Sequence, residues 1–295
     1  MELAAERTSF ARSLRIQLRV LGALFMREVI TRYGRANLGV GWLFLEPMLF
    51  TVAVTALWAG FRMGRVSAVP IVAFALTGYS SVLLWRNCVT RASSAIPPNV
   101  GLLYHRNVRV LDLVLARMLL EIAGATASFV VLGILWIAIG WAELPHDFLK
   151  VFVGWLLLAW FAMGLGLFIG SLTSFNDIFE RLWTPISYLL FPLSGAVFMV
   201  DWLPKQLQQV VLWLPMVHGL EYLREGYFGP VVRAHYDLEY LIGTSLALTL
   251  LGLVVRRASC ARSAVRRACV RVRRSSSVRA SLLRLLAISS RRLRH

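Results

Sequence analysis

Charge is scarce in this 295-residue chain: 16% of its residues are Asp, Glu, Lys or Arg, against 58% hydrophobic. A soluble domain of that length has too little polar surface to cover so much hydrocarbon, so lipid is the expected solvent for most of it. Cysteine is nearly missing as well. Cys88, Cys260 and Cys269 show no CxxC spacing and no even-numbered framework, so neither a metal site nor a structural disulfide is implied. There is no phosphate-cradling glycine-lysine loop, no zinc-protease histidine pair and no nucleophile elbow. The chain is therefore not expected to be an enzyme, and any uphill transport would draw its energy from a partner or an ion gradient. The N-terminal segment carries Arg7, Arg12, Arg15 and Arg19 and lacks a compact apolar run before a small-residue cleavage site. No cleaved signal peptide is expected, and the first crossing helix serves as the insertion signal.

Acid is the rarer sign, and the formal charge of +17 invites a nucleic-acid reading. The distribution argues against it. Residues 256–295 hold 13 of the 32 Arg and Lys and no acid, which leaves 19 basic against 15 acidic residues elsewhere. The tail also lacks the interleaved aromatics that stack on bases, so no nucleic-acid partner is expected.

Apolar runs at about 38–61, 69–86, 110–139, 151–172, 183–200 and 239–255 are the candidate crossings, since about 20 residues span the hydrocarbon core. The third run is longer than needed, and the fifth contains Pro185 and Pro192, which predicts a kinked or broken helix. The expected fold is thus all-α and polytopic, with six transmembrane helices. Basic residues of the N-terminal arm, of 86–109, of 173–182 and of the tail outweigh those of 62–68, 140–150 and 201–238, which places both termini inside. Arg62 and Arg65 run against this rule, so the topology rests on the sum.

The expected organisation is an N-terminal arm over 1–37, a transmembrane domain over 38–255, and a basic Arg/Ser-rich tail over 256–295. Within the arm, Leu14, Leu18, Leu21, Phe25 and Val29 recur at three- and four-residue spacing among Arg12, Arg15, Arg19, Arg27 and Arg32. That pattern suits a helix lying in the membrane interface; a cytosolic helix packed on protein is the alternative. Between the last two runs, Pro204 and Pro215 divide a mixed stretch into two short amphipathic helices, about 204–214 and 216–227, lying at or dipping into the outer face.

Several residues could carry chemistry. Glu46 and Glu121 lie inside the first and third runs, where an ion-coupled small-solute carrier would keep carboxylates; a carboxylate hydrogen-bonded to a neighbouring helix is the other reading. His218, Glu221 and Arg224 recur every three residues and share one helical face, which would either pair charges to fix a helix or meet a polar solute. Two plausible ligands are too few for a metal, and none is expected. Gly60 with Gly64, and Gly166 with Gly170, have the small-xxx-small spacing that permits close helix approach. Trp42, Trp58, Trp85, Trp141, Trp155, Trp183 and Trp202 fall near run ends and read mostly as interfacial anchors, or as stacking faces for sugars.

The stretch from Arg27 to Pro47, with Tyr33-Gly34-Arg35, Gly39-Val40-Gly41-Trp42 and Glu46-Pro47, resembles the start of the ABC-2 type permeases of capsular and related polysaccharide exporters. The resemblance continues through Leu103-Tyr104-His105-Arg106-Asn107, Ser174-Phe175-Asn176-Asp177 and Pro215–Gly229, and covers about 10–256. It implies an inner-membrane permease that pairs with a second copy of itself and with two cytoplasmic ATPase subunits, which would bind the ATP and magnesium. It implies export of a lipid-linked anionic polysaccharide toward the periplasm and any outer-envelope export complex. Carried onto this chain, Arg27, Arg32, Arg35, Trp42 and Glu46 would form the substrate entrance and channel rim. Asn99, Leu103, Tyr104, Arg106 and Asn107 would lie in the segment coupling to the ATPase, and Trp202, Pro204, Pro215, His218, Glu221 and Arg224 in periplasmic gate helices. The entrance arginines would hold the anionic linker or anchor the arm to anionic lipid. An exporter of O-antigen or teichoic acid is the near alternative. The long tail departs from that family, whose chains usually end soon after the sixth span, so no site is expected there.

Overall fold

The computed structural model describes residues 10–33, isolated positions between 41 and 56, and 69–96, 98–99, 108–176 and 178–258. The described residues form an all-helical bundle: α1 (Phe10–Tyr33), α2 (Ile71–Ser93), α3 (Val110–Ile139), α4 (Phe148–Thr173), α5 (Ile178–Leu193), α6 (Lys205–Val211), α7 (Pro215–Phe228) and α8 (Leu238–Ala258). Three of them, α3, α4 and α8, are both long enough and apolar enough to cross a membrane. The first apolar run, the pair Gly60 and Gly64, and the tail beyond Ala258 lie outside the described residues.

Local chemistry sets the helix ends. At the start of α3, Asp112 in the first turn accepts a hydrogen bond from the Arg109 backbone N–H at 2.9 Å, satisfying a donor that has no intrahelical partner. Its end is fixed by Gly140 at φ 81°, a left-handed position that costs glycine little. Asp147 caps α4 by accepting from the N–H groups of Leu149 and Lys150, and the Asn176 side chain accepts from Ile178 N–H to open α5. Pro215 occupies the first turn of α7, where its missing N–H has no intrahelical acceptor.

Small residues let the helices close on one another. A Cβ at Gly170 would stand 2.8 Å from the Ala92 carbonyl oxygen, and one at Gly166 would stand 2.8 Å from the Met118 sulfur, so the small-residue stripe of α4 seats α2 and α3. Gly164 and Gly252 do the same between α4 and α8, where the Ser171 hydroxyl donates to the Gly252 carbonyl at 3.0 Å. Gly170→Ala is expected to destabilise the bundle by about 1–3 kcal/mol through overpacking. Gly243→Ala, where a new Cβ meets nothing within 4 Å, is expected to be neutral or mildly stabilising. Thermal melting in detergent separates the two.

The fifth apolar run differs from its expected 183–200 boundaries. The helix starts earlier, at Ile178, and stops at Leu193, after Pro192; the chain then turns through Gly195 at φ 82°. Its 16 residues reach about 24 Å, short of a hydrocarbon core of about 30 Å. The chain past Leu193 is therefore irregular backbone packed among helices.

Three tryptophans read as interfacial anchors are instead interior. Trp85 (1% exposed) meets Trp183 edge-on at 6.3 Å, Trp183 donates its indole N–H to the Thr90 hydroxyl, and Trp155 stacks on Phe129 at 4.6 Å. A position near a run end does not separate these from Trp141, which is half exposed and stacks on Trp136 at 5.3 Å.

Candidate functional site

Two polar constellations stand at opposite ends of the bundle, and the first is built on α7. This helix is inserted between α2, α4 and α8: a Cβ at Gly219 would press on Leu158 and Leu241, and one at Gly154 would press on the backbone of Leu223. Its buried face carries His218, Glu221 and Arg224, and each serves backbone groups outside regular helix. Arg224, fully buried, donates from Nη1 to the carbonyls of Gly195 (2.7 Å) and Phe198 (2.8 Å) and from Nη2 to that of Ala196 (3.0 Å). Glu221 accepts from the N–H groups of Val200 at 3.2 Å and His235 at 3.3 Å. His218 Nδ1 accepts from Asp237 N–H at 2.8 Å, which leaves Nε2 to donate to the Leu212 carbonyl at 2.7 Å and fixes the neutral tautomer.

The division of labour follows from donor chemistry. Arginine only donates, so it takes the carbonyls released where α5 ends; an ionised carboxylate only accepts, so it takes the N–H groups. Buried irregular backbone survives only when protein satisfies it in this way. Burial pushes the Glu221 carboxyl up and the Arg224 guanidinium down from their ordinary values, and each charge offsets the shift of the other. The guanidinium also lies 3.9 Å over the Phe74 ring, which stacks on Trp202 at 5.3 Å.

The second constellation joins α1, α3 and the turn after α2. Arg27 Nη1 donates to Asn99 Oδ1 at 2.9 Å, and the Asn99 amide donates back to the Ala95 carbonyl at 3.0 Å. Arg117 of α3 pairs with Glu28 of α1 at 3.0 Å and donates to the Ser94 carbonyl at 3.0 Å. Gln17 hydrogen-bonds Asp112 at the foot of α3, and Leu24 packs on Leu113 and Ala116. Nearby, the buried Glu121 is paired with Arg91 at 3.2 Å.

Residues 19–228 match the family model described as ABC-2 type transporter. The chain belongs to that family. It is 52% identical over 249 residues, 84% of this chain and 94% of the relative, to a capsule polysaccharide export inner-membrane protein, CtrC, of Neisseria meningitidis serogroup A. It is 45% identical over 250 residues, 85% of this chain and 94% of the relative, to the capsule polysaccharide export inner-membrane protein BexB of Haemophilus influenzae. A more distant relative, the polysialic acid transport protein KpsM of Escherichia coli, is 29% identical over 246 residues, 82% of this chain and 94% of the relative.

The ABC-2 permease thus brings together Trp202, His218, Glu221 and Arg224 around one buried helix, with Pro204 preceding α6 and Pro215 opening α7. It also joins Arg27 to Asn99, which the sequence placed in different roles. Arg32 lies in the last turn of α1, with its side chain outside the description, while Arg35, Trp42, Glu46, Leu103, Tyr104, Arg106 and Asn107 lie outside the described residues. Among the described residues no group of three metal-ligating side chains occurs. Sequence reasoning missed Arg117, which holds α1 and the Ser94 turn together; an arginine within a crossing helix was its signal. It also missed Trp213, 80% exposed at the α6–α7 corner.

Proposed function

We propose that this permease forms the membrane path of an ATP-driven exporter that moves lipid-linked capsular polysaccharide across a bacterial inner membrane. The observation that carries the reading is the 52% identity to a capsule export protein over 94% of that relative's length. The polysialic acid relative points to the same anionic polymer class. The permease subunit itself is not an enzyme; ATP and magnesium belong to two partner ATPase subunits, and a second copy of the permease completes the path.

In this reading the chain crosses the membrane six times, the irregular backbone past α5 completing the fifth crossing, and both termini are cytoplasmic, which puts α1 and the Ser94–Asn99 turn inside and the α6–α7 hairpin outside. The exposed Leu14 and Leu18 of α1 meet lipid headgroups and tails at the inner interface, while Gln17, Leu24 and Glu28 hold the other face to protein. Arg27, Arg32, Arg35, Trp42 and Glu46 form the entrance. Asn99 and the following segment through Asn107 receive the ATPase stroke, and α6 and α7 gate the far end. Since Arg27 holds Asn99, the entrance arm and the coupling turn move as one piece. An ion-coupled carrier is disfavoured by the Arg91 pairing of Glu121.

The test is ATP-dependent transfer of a defined lipid-linked capsular polymer into vesicles holding the permease and its ATPase. Transfer that needs both subunits supports the proposal. Assembly and ATP hydrolysis with no capsular transfer, but with transfer of O-antigen or teichoic acid, overturns the substrate.

A further inference from the structure

Between α3 and α4, with Tyr227 of α7 at its edge, lies a recess of about 450 Å³ that no described side chain fills. Its lining follows α3 from Ile122 to Ile137, a length of about 22 Å, so it is a furrow suited to a chain rather than a compact ligand. The floor is Gly133 against Leu76, and one wall is the Phe129–Trp155 stack. Its mouth opens sideways between Ile134 and Phe152, both well exposed. The lining offers almost nothing to a polar solute. Its two hydroxyls are already engaged: Thr126 donates to the Ile122 carbonyl and accepts from the Trp155 indole, and Tyr227 donates to the Glu143 carbonyl.

The two helices that form the furrow are among those long and apolar enough to cross a membrane, so what lies outside its mouth is hydrocarbon. Its hairpin end carries a different chemistry. Lys150, part-exposed and in the same turn of α4 as the lining residues Phe148 and Val151, uses one of its three donors on Glu225 at 3.2 Å and keeps the others for an anion. The exposed Trp141 marks the same level as interfacial.

We propose that this furrow holds one acyl chain of a membrane phospholipid from the leaflet at the hairpin end, with the headgroup phosphate at Lys150. The site is continuous with α7. Tyr227 lines the furrow and donates its hydroxyl to the Glu143 carbonyl, while the backbone N–H groups of His146 and Asp147 donate to the carbonyls of Tyr227 and Gly226. An occupied furrow therefore braces the C-terminal end of α7 against the 143–150 turn. Naming the leaflet as the outer one rests on the orientation proposed above; the furrow rests only on α3 and α4 crossing the bilayer.

The full-length permease with its ATPase, in phosphatidylethanolamine and phosphatidylglycerol vesicles, is photolysed with phosphatidylethanolamine bearing a mid-chain diazirine, and adducts are mapped on peptides. Adducts are expected at Phe152 and Leu156 in excess over the lipid-facing Leu250 and Val254 of α8. Gly133→Phe should cut them by about tenfold, the loss of about two buried methylenes of transfer energy. A Cβ at Gly133 meets only Leu76 at 3.8 Å, so the floor accepts the start of a larger side chain. Ile134→Trp, at the exposed mouth, gives the same loss without touching the core, and unchanged α8 labelling and melting temperature certify the fold. Equal labelling of furrow and α8, or labelling that neither variant reduces, overturns the site. So does displacement of the probe by lipid-linked polymer, which assigns the furrow to the exported substrate's own tail. A disulfide between Ile134→Cys positions of two copies overturns it as well, because a second permease then covers the mouth. Labelled cysteines in 140–147 report the orientation separately, so an error there leaves the furrow standing.

Discussion

Arg224→Leu is expected to yield no stable permease: little folded protein in the membrane, and no polymer transfer from what remains. The guanidinium is fully buried and donates to three carbonyls that have left the α5 ladder. Leucine fills much of the volume and supplies no donor, so those carbonyls each lose about 1–3 kcal/mol, and the buried Glu221 is left as a less compensated charge. Against a total stability of about 5–15 kcal/mol, the sum removes most or all of it. Arg224→Lys keeps the charge, but its single compact ammonium cannot reproduce a planar fork that bonds through two nitrogens, and it is expected to melt well below the wild type. Arg233→Leu is the control, because Arg233 is exposed, and its cost is expected to stay within about 0.5 kcal/mol. Membrane yield, melting in detergent and transfer in vesicles give three independent readings. Wild-type melting for Arg224→Leu would show that the 195–200 turn finds its donors elsewhere.

The same triad shows how much of the molecule the sequence makes legible. Three-residue spacing put His218, Glu221 and Arg224 on one face, because helical periodicity is local. It could not show what that face binds. The partners are the backbone groups of Gly195, Ala196, Phe198, Val200, Leu212, His235 and Asp237, and a backbone carbonyl or N–H has no residue type to betray it. Hydropathy located the long helices α3, α4 and α8 because lipid imposes length and composition together. It missed where α5 stops, since Pro192 and Gly195 interrupt the helix within an apolar run that continues past them. The leucine stripe of α1 was legible too. The face held to α3 lies about a quarter-turn away and is written in Gln17, Leu24 and Glu28, whose partners belong to a distant part of the chain. The furrow left no mark except Gly133, because an unfilled volume is an absence of side chains rather than a pattern of them.

Breaking the tie between α1 and the Ser94–Asn99 turn is expected to separate ATP hydrolysis from polymer movement. Arg117 is the residue on which this depends most, since from α3 it bonds both Glu28 on the arm and the Ser94 carbonyl on the turn, while Arg27 and Asn99 join the same two pieces by one direct bond at 2.9 Å. Both partners of the Glu28–Arg117 pair are mostly buried, so the pair is worth more than a surface bridge, with a coupling energy of about 0.5–3 kcal/mol in a double-mutant cycle. Glu28→Gln should loosen the arm alone, and Asn99→Ala should release Arg27. Arg117→Gln should loosen arm and turn together and give the largest effect: transfer per ATP hydrolysed lower by about tenfold, the change that 1.4 kcal/mol produces. The charge swap Glu28→Arg with Arg117→Glu decides which bond matters. It rebuilds the arm contact with reversed signs, yet a carboxylate at 117 cannot donate to the Ser94 carbonyl. Recovery of transfer by the swap assigns the transmission to the ion pair; continued uncoupling with restored stability assigns it to the Ser94 bond. If Arg117→Gln hydrolyses ATP and moves polymer in the wild-type ratio, the arm and the Ser94–Asn99 turn are joined in the structure without working as one.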